Sequence, residues 1–254
     1  MLELKEIEAS IGDKKVLRGV DLKLEKGEVI ALMGPNGSGK TSLAYVTMGH
    51  PLYSLDNGRI ILDGEDITDE EADERSLKGV FLAFQSPPEI PGVRLSNLLL
   101  AAFNKRRGVE GDLLKLTDPT FLKKVNNLVQ KVGLPRDILY RELNIGFSGG
   151  EKKRSEFLQA YLLEPKYVIL DEPDSGLDAD GLQMVGKMIA EMKEQGKGIL
   201  LITHYTRIFK HVEPDKVVVM YNGRILAEDG LGLALKIDEV GYKGLLKELG
   251  VSNE

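Results

Sequence analysis

The stretch ALMGPNGSGKTSLAY, residues 31–45, joins one apolar segment to another through a turn rich in glycine. The apolar run that leads into it, EVIALM at residues 28–33, is typical of a strand buried on both faces of a sheet. The residues after the glycines are typical of a helix. The stretch therefore predicts a buried strand, a tight loop and a helix in direct succession.

The loop from Gly34 to Thr41 matches the phosphate-binding pattern G-x-x-x-x-G-K-[ST]. In such a loop, backbone N–H groups surround the α and β phosphates, Lys40 would reach the β and γ phosphates, and Thr41 would ligate Mg²⁺. The alternative is a glycine-rich strand-to-helix turn without a ligand, and the flanking strand and helix favour the phosphate loop. The residues predicted to hold the nucleotide here are Gly34, Pro35, Asn36, Gly37, Ser38, Gly39, Lys40, Thr41 and Ser42.

The composition is that of an ordinary globular chain, with 254 residues, 42% of them hydrophobic, a net charge of −6 and no cysteine. A chain of this length forms one large α/β domain or two small ones. It has no apolar run long enough to span a membrane and no signal-type N-terminus, so we expect a cytoplasmic protein without direct membrane insertion. The negative charge argues against binding to nucleic acid, and the absence of cysteine excludes disulfides and thiolate metal ligands.

Period-two and continuous apolar segments predict strands near both ends of the chain. The first two strands form an antiparallel pair that turns at residues 12–13. Further strands are predicted in GRIILDG, KGVFLAF, YVILDE and GILLIT. The segment KVVVMYNGRILAEDG predicts a hairpin that turns at residues 222–223, because Asn-Gly suits a two-residue turn.

Helical spacing replaces this pattern in the middle of the chain. From about residue 87 to residue 165, leucines and lysines recur every three or four positions, and no strand is predicted. We expect an α/β fold in which residues 1–86 and 167–254 form a phosphate-loop NTPase core with an antiparallel β subdomain. Residues 87–166 would form an inserted helical subdomain, and residues 231–254 a helical tail.

Two carboxylates follow the predicted strand YVIL, residues 167–170. A nucleoside triphosphatase of this kind needs a carboxylate at the end of a neighbouring buried strand, where Asp171 would hold Mg²⁺ through water. Glu172 beside it would polarise the attacking water as a general base. A polar turn that merely ends a strand is the alternative, and the phosphate loop in the same chain favours the catalytic interpretation.

The segment FSGGEKKR, residues 147–154, opens a predicted helix. Ser148 and Glu151 have the spacing of a capping box, in which each side chain satisfies a free N–H group at the helix start. Gly149 and Gly150 leave this helix end bare of side chains, so a phosphate from another molecule could bind its N–H groups. The two interpretations are compatible.

The phosphate loop, FSGGE, YVILDEPDSGLD and LITH resemble, in order and spacing, the motifs of ATP-binding cassette (ABC) ATPases over nearly the whole chain. The resemblance implies ATP as the nucleotide, Gln85 as a sensor of Mg²⁺ and of the partner, and His204 as a contact of the γ phosphate. It also implies an ATP-dependent head-to-tail homodimer, in which the helix start of one subunit completes the other's site. The residues thereby expected to be catalytic are Lys40, Glu172 and His204. Those expected to ligate Mg²⁺ are Thr41, Gln85 and Asp171, and those expected to bind the second subunit's ATP are Ser148, Gly149 and Gly150.

Within that family, FLAFQSPPEIPGV, FSGGEKKR, DEPDSGLD and THYTRI closely resemble the SufC group, the ATPases of iron-sulfur cluster assembly. Transporter ATPases usually carry Gln where Glu151 stands and seldom carry Asp where Asp174 stands. The resemblance implies SufB- and SufD-type scaffold partners, which would dock on the helical subdomain near Pro87, Pro88 and Pro91. Two alternatives stay open: the ATPase subunit of an ABC membrane transporter, and a nucleic-acid-directed ABC protein, which the acidic charge disfavours.

Two further expectations concern single side chains. Ile11 stands where many members of the family stack an aromatic ring on adenine, so we expect modest nucleotide affinity and weak base selectivity. Lys152 and Lys153 lie at the start of the helix that FSGGEKKR opens. One hypothesis pairs Lys153 with Glu172 or Asp174 in a resting ion pair that restrains hydrolysis. In the other, both lysines are solvated charges that regulate nothing.

Overall fold

A computed structural model of the chain describes residues 1–116 and 118–250. The helices of these residues are α1 (Lys40–Met48), α2 (Ala72–Lys78), α3 (Leu95–Arg106), α4 (Phe121–Lys131), α5 (Gly149–Leu163), α6 (Ala179–Glu194) and α7 (Leu231–Glu248). The strands are β1 (Leu2–Ile11), β2 (Lys14–Leu24), β3 (Val29–Met33), β4 (Ser54–Leu62), β5 (Glu65–Asp66), β6 (Val80–Ala83), β7 (Ile90–Arg94), β8 (Glu142–Leu143), β9 (Tyr167–Asp171), β10 (Gly198–Ile202), β11 (Lys216–Tyr221) and β12 (Arg224–Asp229). Short 3₁₀ turns cover Arg136–Tyr140 and Thr206–Lys210. Thr117 of the predicted helical subdomain and residues 251–254 of the predicted helical tail lie outside the described residues.

The central sheet orders its strands, within the described part of the chain, as β12-β11-β3-β10-β9-β6. All neighbours are parallel except β12, which pairs antiparallel with β11 in the predicted hairpin. Val29, Ala31 and Met33 of β3 join one hydrophobic cluster, and Ile30 and Leu32 join another on the opposite face. The strand that leads into the phosphate loop therefore lies inside the sheet and is covered on both sides.

A second, antiparallel sheet packs against one face of the core. Its strands follow the order β2-β1-β4-β5 among the described residues, and β1 and β2 turn at residues 12–13, as predicted. Apolar residues of this sheet share a hydrophobic cluster with α1 and with one face of the central sheet. The helix that follows the phosphate loop is thus packed between the two sheets.

The inserted region contains the predicted helices α3 and α4, and it also contains a small antiparallel sheet of β7 and β8. The prediction that no strand lies between residues 87 and 165 is therefore wrong. The sequence of β7, IPGVR, includes Pro91 and Gly92, which are unfavourable within strands, and β8 has two residues. Proline is tolerated in β7 because, in the described residues, the strand pairs along one edge and leaves the other free.

The helix α7 is interrupted at Gly241, whose φ of 68° and ψ of 169° are not helical. Ile237 is buried before the break and Leu245 is buried after it, so both pieces pack on the core. The predicted helical tail is therefore present as two pieces over residues 231–248. In the described ranges, neither α7 nor any other helix has the length and hydropathy needed to cross a membrane.

Candidate functional site

The phosphate loop runs from the buried end of β3 to the first turn of α1. Gly34, Gly37 and Gly39 have φ values of 154°, 77° and 109°, which glycine adopts without steric cost. A Cβ atom at Gly34 would lie 2.3 Å from the carbonyl oxygen of Met220 on β11. The loop therefore leaves the sheet in close contact with the neighbouring strand, which explains why glycine stands at its entry.

Lys40 opens α1, and its side chain is buried inside the curve of the loop. Its Nζ atom donates hydrogen bonds to the carbonyl oxygens of Gly34 at 2.8 Å and Pro35 at 3.1 Å. Burial lowers the pKa of Lys40, and the carboxylates of Glu172 and Asp171 act in the opposite direction. A cation in this position can neutralise the charge of phosphates that the loop and the helix N-terminus attract.

Thr41 and Asp171 meet beside the loop, where Thr41 Oγ1 donates to Asp171 Oδ1 over 3.4 Å. Asp171 ends β9 with 1% of its surface exposed, and burial raises its pKa to about 6. Its other oxygen, Oδ2, is buried and has no hydrogen-bond partner among the described residues. An orphaned carboxylate oxygen is costly unless another group binds it. Carboxylate and hydroxyl oxygens are suitable donors for Mg²⁺, so this pair fits the predicted ion.

Glu172 follows β9 with a φ of 48°, a left-handed value that is uncommon outside glycine. Its Oε2 atom accepts a hydrogen bond from Gln85 Nε2 at 2.8 Å, and its Oε1 atom lies 3.1 Å from His204 Nε2. Burial lowers the pKa of His204, and the charge of Lys40 lowers it further. Three predicted residues from the ends of the adjacent strands β6, β9 and β10 are thereby brought together.

The resting ion pair predicted for Lys153 does not occur among the described residues, and that hypothesis is wrong in its geometry. The Nζ atom of Lys153 donates instead to the backbone carbonyls of Gln85 and Glu172, each at 2.8 Å. The residue is 7% exposed, so the alternative of a solvated lysine is wrong for it as well. The physical reason is that the Glu172 carboxylate already bonds to Gln85 and His204, whereas the two carbonyls need a buried donor.

Lys152 and Asp174 also have other partners. Lys152 forms an ion pair with Glu89, with Nζ and Oε1 2.9 Å apart. Asp174 is 1% exposed, and its Oδ2 atom accepts a hydrogen bond from Thr203 Oγ1 at 3.0 Å. Burial raises the pKa of Asp174, and Arg207 Nη2 donates to its backbone carbonyl at 2.9 Å. Asp174 is therefore a buried residue that connects the segment after Glu172 to the segment around His204.

The helix start at Ser148 has the predicted capping box. Ser148 Oγ accepts from the N–H of Glu151 at 3.2 Å, and Glu151 Oε2 accepts from the N–H of Ser148 at 2.7 Å. Ser148 and Gly149 are exposed, and neither they nor Gly150 lines the cleft around the phosphate loop. Their assignment to ATP requires a second subunit and stays a prediction.

An open cleft of about 1680 Å³ surrounds the phosphate loop. The predicted residues that line it are Asn36, Gly37, Gly39, Lys40, Thr41, Ser42, Gln85, Glu172 and His204. The predicted residues Gly34, Pro35, Ser38 and Asp171 are not part of its wall and support it from behind. Residues of the wall that the sequence patterns missed include Lys14, Lys15, Val16, Arg18, Asn222, Arg224 and Tyr242.

Ile11 is not among the residues that line this cleft, and its expected contact with the base stays a prediction. It pairs with Lys14 across the first turn and is 41% exposed. Val16 lines the cleft in its place. The register of β1 and β2 shifts between Ala9 and Ser10, and such a shift changes which side chain faces the cleft. The second strand therefore also places an aliphatic side chain on the cleft wall.

Comparisons with known proteins cover nearly the whole chain. A family model described as ABC transporter matches residues 17–175. A probable ABC transporter ATP-binding protein of Streptococcus pyogenes serotype M3 is 44% identical over 251 residues, which is 99% of this chain and 97% of the relative. A probable ATP-dependent transporter of Pyropia yezoensis, ycf16, is 46% identical over 242 residues, 95% and 96% of the two chains. The solved structure of a nucleotide-free ATP-binding cassette from an ABC transporter matches with a TM-score of 0.78 at 26% identity, covering 100% of this chain and 99% of that one.

Proposed function

The chain belongs to the family of ABC transporter ATP-binding proteins, and from that premise we propose that it is a SufC-type motor of iron-sulfur cluster assembly. As a member of the family it binds ATP and is an ATP hydrolase. The proposed role is to drive a conformational change in a SufB/SufD-type scaffold. The observation that carries this proposal is the buried position of Asp174, a residue type that transporter ATPases seldom carry at this position. Asp174 is 1% exposed and accepts a hydrogen bond from Thr203, the residue directly before His204, so it supports the backbone next to the reaction centre.

In the proposed hydrolysis, Glu172 accepts a proton from the water that attacks the γ phosphate. Gln85 and His204 hold its two oxygens from opposite sides, so the carboxylate has a fixed direction. Lys40 stabilises the negative charge of the phosphates from within the loop. Thr41, Asp171 and Gln85 would hold Mg²⁺, which would neutralise charge on the β and γ oxygens.

The proposed active form is a head-to-tail dimer, because the helix start at Ser148 is capped, exposed and separate from the cleft of its own chain. A phosphate docked on the N–H groups of Gly149 and Gly150 would gain the partial positive charge of the α5 N-terminus. The second subunit would thereby complete each site with these residues.

The scaffold is proposed to dock on the segment that follows Gln85. Pro88 and Pro91 are exposed there and Ile90 is 38% exposed, whereas Pro87, also expected on this surface, is buried. Phe84, directly before Gln85, contacts Tyr45 with a ring-centroid distance of 6.0 Å. A partner that moves this segment would move Gln85, and with it the hydrogen bond to Glu172. Docking could therefore change the rate of hydrolysis without touching ATP.

The test is to purify a tagged form of the chain from its own cells, identify the co-purifying protein, and measure ATP turnover with and without that protein. We expect a scaffold of the SufB/SufD type that accelerates turnover of the wild type and leaves Glu172→Gln inactive. Reconstituted cluster assembly on that scaffold should stop with Lys40→Ala. Co-purification of an integral membrane protein that accelerates turnover, without any such scaffold, would overturn the proposal.

The second candidate is the ATPase subunit of an ABC membrane transporter. The observation that favours it is the naming of the relatives, which are described as probable transporter proteins. In that role its partner would be a membrane protein. The same purification distinguishes the two candidates.

A further inference from the structure

The helix α7 brings a tyrosine into the nucleotide cleft from outside the part of the chain that the family model matches. Tyr242 lines the cleft, and its ring packs against the larger hydrophobic cluster of the core. Its Oη atom accepts a hydrogen bond from the backbone N–H of Gly34 at 3.1 Å. The C-terminal helix thus contacts the first residue of the phosphate loop.

Gly34 is held on three sides. Its N–H donates to Tyr242, its carbonyl oxygen accepts from Lys40 Nζ at 2.8 Å, and its Cα lies against the carbonyl of Met220. Tyr242 and Lys40 are therefore connected through a single residue. Any movement of Gly34 would displace the carbonyl oxygen that positions the Lys40 ammonium. The hydroxyl of Tyr242 therefore helps to position Lys40, which is expected to contact the phosphates.

The backbone break in α7 is what allows this contact. Gly241 has a φ of 68° and a ψ of 169°, a combination that is essentially restricted to glycine. Before the break, Asp238 Oδ2 accepts a hydrogen bond from Thr206 Oγ1, in the turn that follows His204. The two pieces of α7 therefore contact two different elements of the site, the phosphate loop and the segment after His204.

The hydroxyl group of Tyr242 can still donate a hydrogen bond, because no described residue accepts one from it. A phenol both accepts and donates a hydrogen bond, and here Gly34 uses an acceptor position, while no described residue accepts the Tyr242 proton. Burial raises the pKa of Tyr242, so the proton is retained at neutral pH. A phosphate oxygen of a nucleotide in the cleft is a suitable acceptor for it.

We propose that Tyr242 is a nucleotide-binding residue of this ATPase. Its hydroxyl group holds Gly34 in place within the phosphate loop and donates a hydrogen bond to a phosphate oxygen of the nucleotide. Both roles require the hydroxyl group, and the aromatic ring alone supports neither. The proposal requires only that the chain binds ATP, and it is independent of the identity of the scaffold partner.

The decisive variant is Tyr242→Phe in the full chain, because it removes the hydroxyl and keeps the ring. We expect the Kd values for Mg-ATP and Mg-ADP, measured by calorimetry, to rise about two- to tenfold, the usual effect of one hydrogen bond. The melting temperature of the nucleotide-free protein should fall only slightly, because the Gly34 N–H loses its acceptor while the ring stays packed. Tyr140→Phe is the matched control, since Tyr140 is 72% exposed and remote from the cleft, and its Kd values should equal those of the wild type.

A second variant tests the backbone geometry. A Cβ atom at Gly241 would meet no other atom within 4 Å, so Gly241→Ala acts only through the backbone conformation. We expect it to weaken nucleotide binding in the same direction as Tyr242→Phe. Wild-type Kd values for Tyr242→Phe would overturn the proposal, and so would a loss of affinity seen only in Tyr242→Ala, because the ring would then be the part that matters. Either result would leave the ATPase function intact, because that function is tested by ATP binding and turnover of the wild type and not by these variants.

Discussion

The Nζ atom of Lys153 lies 2.8 Å from the backbone carbonyl oxygen of Glu172 and 2.8 Å from that of Gln85. The side chains of Gln85 and Glu172 are themselves hydrogen-bonded at 2.8 Å. One lysine of α5 therefore fixes the backbone of two loops that also meet through their side chains. Helix α5 is in this way hydrogen-bonded directly to the backbone of Glu172, the proposed catalytic base.

Lys153→Ala should lower ATP turnover and leave ATP affinity nearly unchanged, because the substitution leaves two buried carbonyls without a donor and releases the two loops. The free energy of unfolding should fall by about 1–3 kcal/mol. The hypothesis of a resting ion pair expects the opposite change, because the loss of Lys153 would then raise ATP turnover. Phosphate release and urea unfolding measure the two effects.

Lys152→Ala is the matched control for that experiment. Its ion pair with Glu89 is partly solvent-exposed, and such pairs contribute about 0–1 kcal/mol. We expect turnover and stability close to those of the wild type. A faster Lys153→Ala enzyme would contradict the role of Lys153 as a backbone donor.

Lys40→Ala should abolish productive ATP binding. The buried ammonium is the cation inside the curve of the phosphate loop, and its loss leaves the phosphate charge uncompensated. The check is calorimetric titration with Mg-ATP, accompanied by thermal unfolding to confirm that the variant is folded. Undiminished turnover would contradict the assignment of the site.

Glu172→Gln should keep ATP binding and stop hydrolysis, because the amide cannot accept the proton of the attacking water. ATP-loaded dimers should then accumulate, because in the proposed two-subunit site the ATP that joins the subunits is no longer consumed. Light scattering with Mg-ATP, with and without the scaffold partner, measures the mass. A monomer under both conditions would rule out the two-subunit site.

Glu156→Gln should stabilise the protein in a pH-dependent way. Glu156 is 6% exposed, accepts a hydrogen bond from the N–H of Phe84 at 3.1 Å, and has a pKa that burial raises from 4.5 to about 7. A carboxyl group whose pKa is higher in the folded state favours folding at low pH, and this contribution is lost as the pH rises from about 4.5 to about 7. The glutamine keeps an acceptor for Phe84 and does not titrate.

The stability difference between Glu156→Gln and the wild type should therefore grow between about pH 4.5 and pH 7 and be constant above that range. Urea unfolding at three pH values across the range measures it. Because all other groups titrate alike in both proteins, the difference isolates Glu156. A difference that is independent of pH would show that the group does not titrate as expected.

Local sequence patterns predicted the elements whose chemistry is local. The phosphate loop between Gly34 and Thr41, the capping box of Ser148 and Glu151, and the hairpin at residues 222–223 each depend on residues a few positions apart. The carboxylates of Asp171, which ends β9, and of Glu172, which follows it, were predictable because an apolar run ended beside them. These features follow from spacing alone.

The remaining features depend on contacts between distant parts of the chain. Tyr242 and Gly34 are 208 positions apart, and no periodic pattern links them. The acceptors of Lys153 are backbone carbonyls, which every residue carries, so the side-chain types around it indicated an ion pair that does not form. The position of Val16 on the cleft wall was not predicted, because a register shift within the first two strands cannot be read from alternation.

The order of strands in the central sheet has a consequence for synthesis on the ribosome. In β3, Val29 pairs with Ile199 and Ala31 pairs with Val217, so both neighbours of this strand are translated long after it. The antiparallel sheet of β1, β2 and β4 pairs among early residues and can form while translation continues. A nascent chain therefore carries a phosphate loop without its two neighbouring strands until β10 and β11 have been translated, and we expect ATP binding only after that point.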